Sequence, residues 1–145
     1  YTSARMVSRG KKVFKYGRVR FRASLGNCQA LGTWPALWML PENKEYGGWP
    51  GSGEIDVMET VGREPDRFFA TVHTNTFNHG IGTERGGSLS RSKDDWHVFE
   101  IDWQEDHIKF ALDSQVYYTF VPDNISNFEQ WPFDKEFHLL MNIAM

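Results

Sequence analysis

Cysteine is nearly absent from this 145-residue chain. Cys28 stands alone, which excludes an internal disulfide, and no second Cys or Cys/His pair at ligand spacing points to structural zinc. Cys28 therefore reads as a small, partly buried residue. A basic run long enough to track a phosphate backbone is also missing, and a formal net charge of −3 with a pI near 5.9 leaves no broad cationic surface, so nucleic acid is excluded as a partner. No apolar stretch approaches the roughly 20 residues that cross a bilayer. The N-terminal YTSARMVSRG has neither the charged nor the apolar region of a secretion leader. The chain accordingly reads as soluble, with no membrane partner and no protein partner implied. Helical periodicity is weak throughout, which argues against βαβ units.

What is present is an apolar share of 40%, enough for one domain over 1–145 with a real core. Aromatics reach 15%, with 6 Trp, 5 Tyr and 11 Phe, more rings than such a core needs, so some are expected on a binding surface. Period-two alternation recurs between turn signals. In residues 18–25, Val19, Phe21, Ala23 and Leu25 alternate with Arg18, Arg20, Arg22 and Ser24, as a strand with one dry and one wet face requires. Further strands are expected at 34–40, 53–60, 68–74, 96–103, 108–112, 116–121 and 137–143. Short polar breaks at Glu105-Asp106 and Asp113-Ser114 predict consecutive hairpins between Trp96 and Val121. The fold class is all-β, a sandwich of two antiparallel sheets. Residues 41–52 and 75–95, rich in Gly, Ser, Asn and charge, are expected as loops rimming a cleft.

The segment Gly53-Glu-Ile-Asp-Val-Met-Glu-Thr60 carries the chemistry. Glu54 and Asp56 share one strand face, with Ile55 and Val57 on the other. Strict alternation would turn Glu59 into the core, where an unpaired carboxylate is very costly. One extra residue, a β-bulge at Val57 and Met58, restores Glu59 to the face of Glu54 and Asp56. Three carboxyls on one surface repel one another, and burial adds to this, so at least one holds its proton near neutral pH. Glycosyl transfer needs that division: one carboxylate attacks the anomeric carbon while another carboxyl protonates the departing oxygen. A bulged single strand favours the separation of about 5–5.5 Å typical of retention over the wider one of inversion. The same acids would equally suit a solvated strand face or a calcium site.

GEIDVMET, with WPALWML upstream and GGWPGSG immediately before it, resembles glycoside hydrolase family 16, especially its laminarinase-like endo-β-1,3-glucanases. The resemblance extends to YTSARMVSRGKKVFKYGRVRFRASL, WHVFEIDW and HLLMNIA, and so covers essentially the whole chain. It implies a β-jelly-roll sandwich with a concave cleft. It further implies Glu54 as nucleophile, Glu59 as general acid/base and Asp56 as the residue that hydrogen-bonds and tunes Glu54. The spacing Glu-x-Asp-x-x-Glu resembles the laminarinase branch and implies retaining cleavage of β-1,3- or mixed β-1,3-1,4-glucan, a β-glucan polysaccharide partner, secretion, and no cofactor. Trp38, Trp49 and Trp34 are then expected to flank the cleft, although Trp34 and Trp38 share strand parity with Ala36 and Leu40 and could be core. His73 reads either as a rim hydrogen-bonding partner or as structural, and Asn142 resembles a family position near the cleft. His97 and His138 read as structural.

Members of the family usually carry further strands before YTSAR and after MNIA, so the domain is expected to be incomplete at both ends, with exposed edges and poor solubility. The family's convex-face calcium uses such terminal segments, and no metal is assigned. A non-catalytic glucan-binding module, or an enzyme acting on another polysaccharide such as agarose by hydrolysis or transglycosylation, are the alternatives.

Overall fold

The computed structural model describes residues 2–26, 30–64 and 66–145, and the reading of Cys28 lies outside the described residues. The strands among them are β1 (Arg5–Val7), β2 (Val13–Phe14), β3 (Gly17–Ala23), β4 (Trp34–Pro41), β5 (Glu54–Glu59), β6 (Arg67–His73), β7 (Arg85–Ser90), β8 (His97–Trp103), β9 (Ile108–Leu112), β10 (Gln115–Phe120) and β11 (Phe137–Ala144). Each of the eight segments read as a strand from alternation is one, displaced by at most two residues at either end. All pairings are antiparallel. A seven-stranded sheet runs β1-β11-β4-β5-β6-β7, with β2 also on β11, and a four-stranded sheet runs β10-β9-β8-β3. The two face each other as a β-jelly-roll sandwich. Among the described residues no helix is long and apolar enough to cross a membrane.

The core lies between the sheets and follows the alternation. Leu37 and Met39 of β4, Ile55 of β5, and Phe68, Ala70 and Val72 of β6 meet Val19 and Phe21 of β3, Phe99, Ile101 and Trp103 of β8, and Phe110 of β9. Trp103 is wholly buried, and its indole N–H donates to the Phe133 carbonyl at 3.0 Å, so the ring is buried without stranding its polar atom. The β9–β10 hairpin turns at Asp113 and Ser114, whose φ values of 50° and 69° are the left-handed pair that a two-residue type I′ turn requires.

Three strands were not legible. β1 and β2 have only three and two residues, too few for a period to register. β7 falls in the stretch expected to be loop, because Arg-Gly-Gly-Ser-Leu-Ser offers no β-branched residue and two glycines. The glycines are there for space: a Cβ at Gly86 would come within 2.4 Å of the Ala70 carbonyl, and one at Gly87 within 2.8 Å of Tyr118 Cβ.

Candidate active site

Register in the large sheet shows how the acids reach one face. Between β4 and β5, Leu37 pairs with Met58 and Trp38 with Asp56, leaving Val57 unmatched. Between β5 and β6, Asp56 pairs with Thr71 and Glu59 with Phe69, so Val57 and Met58 oppose Ala70 alone. This is the expected β-bulge. Both bulged side chains go inward, Val57 at 1% and Met58 at 0% exposure, and Glu54, Asp56 and Glu59 line one cavity on the outer face. Gly53, entering β5, has φ 87° and no room for a side chain, since a Cβ would meet Pro132 Cγ at 2.8 Å. The backbone thus turns sharply into the acidic strand.

Trp34, Ala36 and Trp38 of β4 share that outer cavity, whereas Pro35, Leu37 and Met39 are the buried parity. Core packing is therefore not the role of Trp34 and Trp38. Each predicted indole holds a polar group of the site. Trp34 Nε1 donates to Glu59 Oε1 at 2.9 Å, Trp49 Nε1 to Glu54 Oε2 at 2.9 Å, and Trp38 Nε1 to Asn142 Oδ1 at 2.7 Å. His73 Nε2 stands 3.3 Å from Asp56 Oδ2 without hydrogen-bond alignment, so Oδ2 has no hydrogen-bond partner among the described residues. All eight residues singled out from the sequence are thus brought together. His97 and His138, read as structural, are buried; His97 bonds Asp113 and the Ser92 carbonyl, each at 2.6 Å.

Sequence reasoning missed His79 and Thr71. His79, in a single 3-10 turn, lies 5.0 Å from the rings of both Trp49 and His73, and nothing in its spacing signals this. Thr71, whose side chain hydrogen-bonds Glu59, sits two residues from His73 on β6, and strand parity with His73 would have found it.

Electrostatically the acids are frustrated. Burial, then the Asp56 charge, pushes Glu54 up to about 8. Burial, then the Glu59 charge, raises Asp56 well above the ordinary aspartate value, and burial raises Glu59. Glu54 and Asp56 also hydrogen-bond each other, a contact that raises Glu54 and lowers Asp56, so Glu54 carries the proton between them while the Trp49 N–H works in the opposite sense on Glu54. Glu54, Asp56 and His73 also present donor atoms within 4.8 Å of one another and could hold a cation among the described residues.

Three cavities adjoin across the outer face. The central one, of about 180 Å³, shares Trp38 and Glu54 with a neighbour of about 500 Å³, and shares Trp34 and Glu59 with another of about 560 Å³ on the other side. The acids thus stand midway along a trough that continues in both directions. The 41–52 segment supplies Pro41, Lys44, Gly47, Trp49 and Ser52 to the Glu54 side, as its loop composition predicts.

The family model for glycosyl hydrolases family 16 matches residues 1–144. A β-glucanase of Rhodothermus marinus is 47% identical over 153 aligned positions, covering all of this chain and 53% of the relative. A glucan endo-1,3-beta-glucosidase of Cryptopygus antarcticus is 40% identical, covering all of this chain and 55% of its own length. The X-ray structure of the laminarinase from Rhodothermus marinus superposes with a TM-score of 0.91 at 45% identity, covering 97% of this chain and 59% of that one. The chain thus spans about half the length of these relatives.

Proposed function

The chain belongs to glycosyl hydrolases family 16, and from that premise we propose that it carries the catalytic face of a retaining endo-β-glucanase acting on β-1,3- or mixed β-1,3-1,4-glucan. The observation that carries this reading is the bulge at Val57 and Met58, which sets three frustrated carboxyls midway along a trough open at both ends. A chain end is not needed to enter such a trough, which suits internal cleavage. Trp34, Trp38 and Trp49 give it flat apolar faces for pyranose rings, and their N–H groups fix the acids and Asn142.

In this mechanism Glu54 passes its proton to Asp56 as its carboxylate attacks the anomeric carbon, and Asp56 then donates a hydrogen bond to it. Glu59, whose pKa burial raises, gives its proton to the glycosidic oxygen as that bond breaks. A glycosyl ester on Glu54 results, and Glu59 is left ionised. Glu59 then takes a proton from water, the water oxygen attacks the same carbon, and Glu54 leaves as carboxylate. His73 and Thr71 orient Asp56 and Glu59 without entering the bond changes. A polymeric glucan lies outside cells, so the protein acts as a secreted one.

The test is reducing-end release from laminarin, mixed-linkage glucan and agarose by the chain and by Glu54→Gln matched for folding. Release from laminarin that disappears in the variant is the expected result. A folded chain that binds laminarin and releases nothing would make it a glucan-binding module.

A further inference from the structure

The trough is charge-polarised about the acids. On the Glu54 side its lining includes Arg5, Arg9 and Lys44, and Glu54 is the sole carboxylate there among the described residues. On the Glu59 side the balance reverses, with Glu59, Glu64 and Glu84 against Arg63 alone. Arg63 is itself 3.8 Å from Glu64, which also takes Arg67 at 3.2 Å.

Among the described residues no ion pair joins Arg5, Arg9 or Lys44 to an acid. Arg5 Cζ stands over the Trp38 ring, 4.8 Å from its centroid, a contact with the ring face that uses none of the guanidinium's hydrogen-bond donors on an acid. Arg9 donates to the Glu42 backbone carbonyl at 3.0 Å. Among the described residues the Glu42 carboxylate makes no ion pair with Arg9; it accepts the Gly10 N–H at 2.9 Å and faces His138 Nδ1 at 3.2 Å. Guanidinium and ammonium donors serve neutral hydroxyls as well, but carboxylates and sulfate esters match Arg donors in pairs and gain the charge-assisted bond that a hydroxyl lacks. The net charge of −3 means that the chain as a whole repels polyanions, so attraction here would be local.

We propose that the cavity between Trp38 and Trp49 is a subsite for an acidic sugar, a β-glucan unit bearing a sulfate ester or carboxylate, and that the acid-lined opposite cavity excludes such units. This rests on the glucanase reading and names a finer substrate class for the same site. Cleavage of a partly substituted chain would then place the anion always on the same side of the cut.

The experiment compares kcat/KM for laminarin and for partly sulfated laminarin at roughly 0.01 M and 1 M ionic strength, where the Debye length is about 30 Å and 3 Å. The expected result is a preference of about tenfold for the sulfated polymer at low salt, from exposed cations acting over a few ångströms. That preference should be lost at high salt and lost in an Arg9→Gln, Lys44→Gln variant, with mass spectra placing sulfate on one side of every new end. Laminarin cleaved normally with no preference for the sulfated form, or with sulfate on both sides of the cut, overturns the inference and leaves the glucanase reading standing. Inhibition by dextran sulfate equal to that by sulfated laminarin also overturns it, since any polyanion would then do. Neither laminarin cleaved by the folded chain would bring down the underlying reading as well.

Discussion

Replacing Glu54 by Gln should stabilise the protein while abolishing its chemistry, and the size of the gain should depend on pH. An apparent value of about 8 against 4.5 for the free carboxyl corresponds to roughly 5 kcal/mol of unfavourable free energy once the site is fully ionised. The folded pKa lies above the unfolded one, so the native state binds the proton more tightly. Stability is then fully present below the unfolded value and is lost as pH rises through about 8. Reorganisation around Asp56 and water entry from the open trough should leave about half of this, 2–3 kcal/mol, which for a chain of this length is a rise of about 8 °C in Tm. Gln keeps the size of the side chain and an acceptor for the Trp49 N–H, so packing changes little. Thermal melts of both proteins at about pH 5 and about pH 9 make the comparison, with the advantage of E54Q small in acid and near its full size in base. A variant that is no more stable than the parent at high pH, or equally favoured at both, would refute the claim that burial and carboxyl crowding frustrate the site.

Glu59→Gln should lower kcat/KM on laminarin by about a thousandfold, the typical worth of a general acid, and far less on a β-glucoside with an acidic phenol as leaving group, which departs without a proton. Steady-state rates on both substrates check this. Deleting Met58 should remove the bulge, and plain alternation over the resulting Glu-x-Asp-x-Glu should keep Glu59 on the face of Glu54 and Asp56, so turnover should persist in the folded variant; turnover lost in protein that still folds by circular dichroism would refute the phase argument. Both nitrogens of His97 face acceptors, Asp113 Oδ2 and the Ser92 carbonyl, each at 2.6 Å, so the ring is held as a cation. Burial works to lower its pKa, but these partners outweigh burial and raise it. Its contribution is thus present below the ordinary histidine value and lost as pH rises above it, so melts of His97→Gln should lack a decline across that window that the parent shows.

Much of the fold was legible because both sheets have one dry face. Alternation in β3, β4 and β8 records which side chains meet the core, and it located those strands within two residues. β7 was illegible because its glycines answer to a neighbour distant in sequence, Tyr118, which no local pattern records. At the site, the bulge could be inferred from energetic cost alone, since a core-facing Glu59 would have been prohibitive. The partners of the acids could not. Trp34, Trp49 and Thr71 reach Glu59 and Glu54 from β4, a loop and β6, and only the register of the large sheet sets those meetings. His79 arrives from a 3-10 turn with no period at all.

If Glu54 and Glu59 act from one bulged strand as nucleophile and acid/base, proton NMR of laminarin during the first minutes of cleavage should show the new reducing ends as the β-anomer, which only later mutarotates. First appearance of the α-anomer would contradict that assignment of roles, as would a folded chain under which no new reducing ends appear.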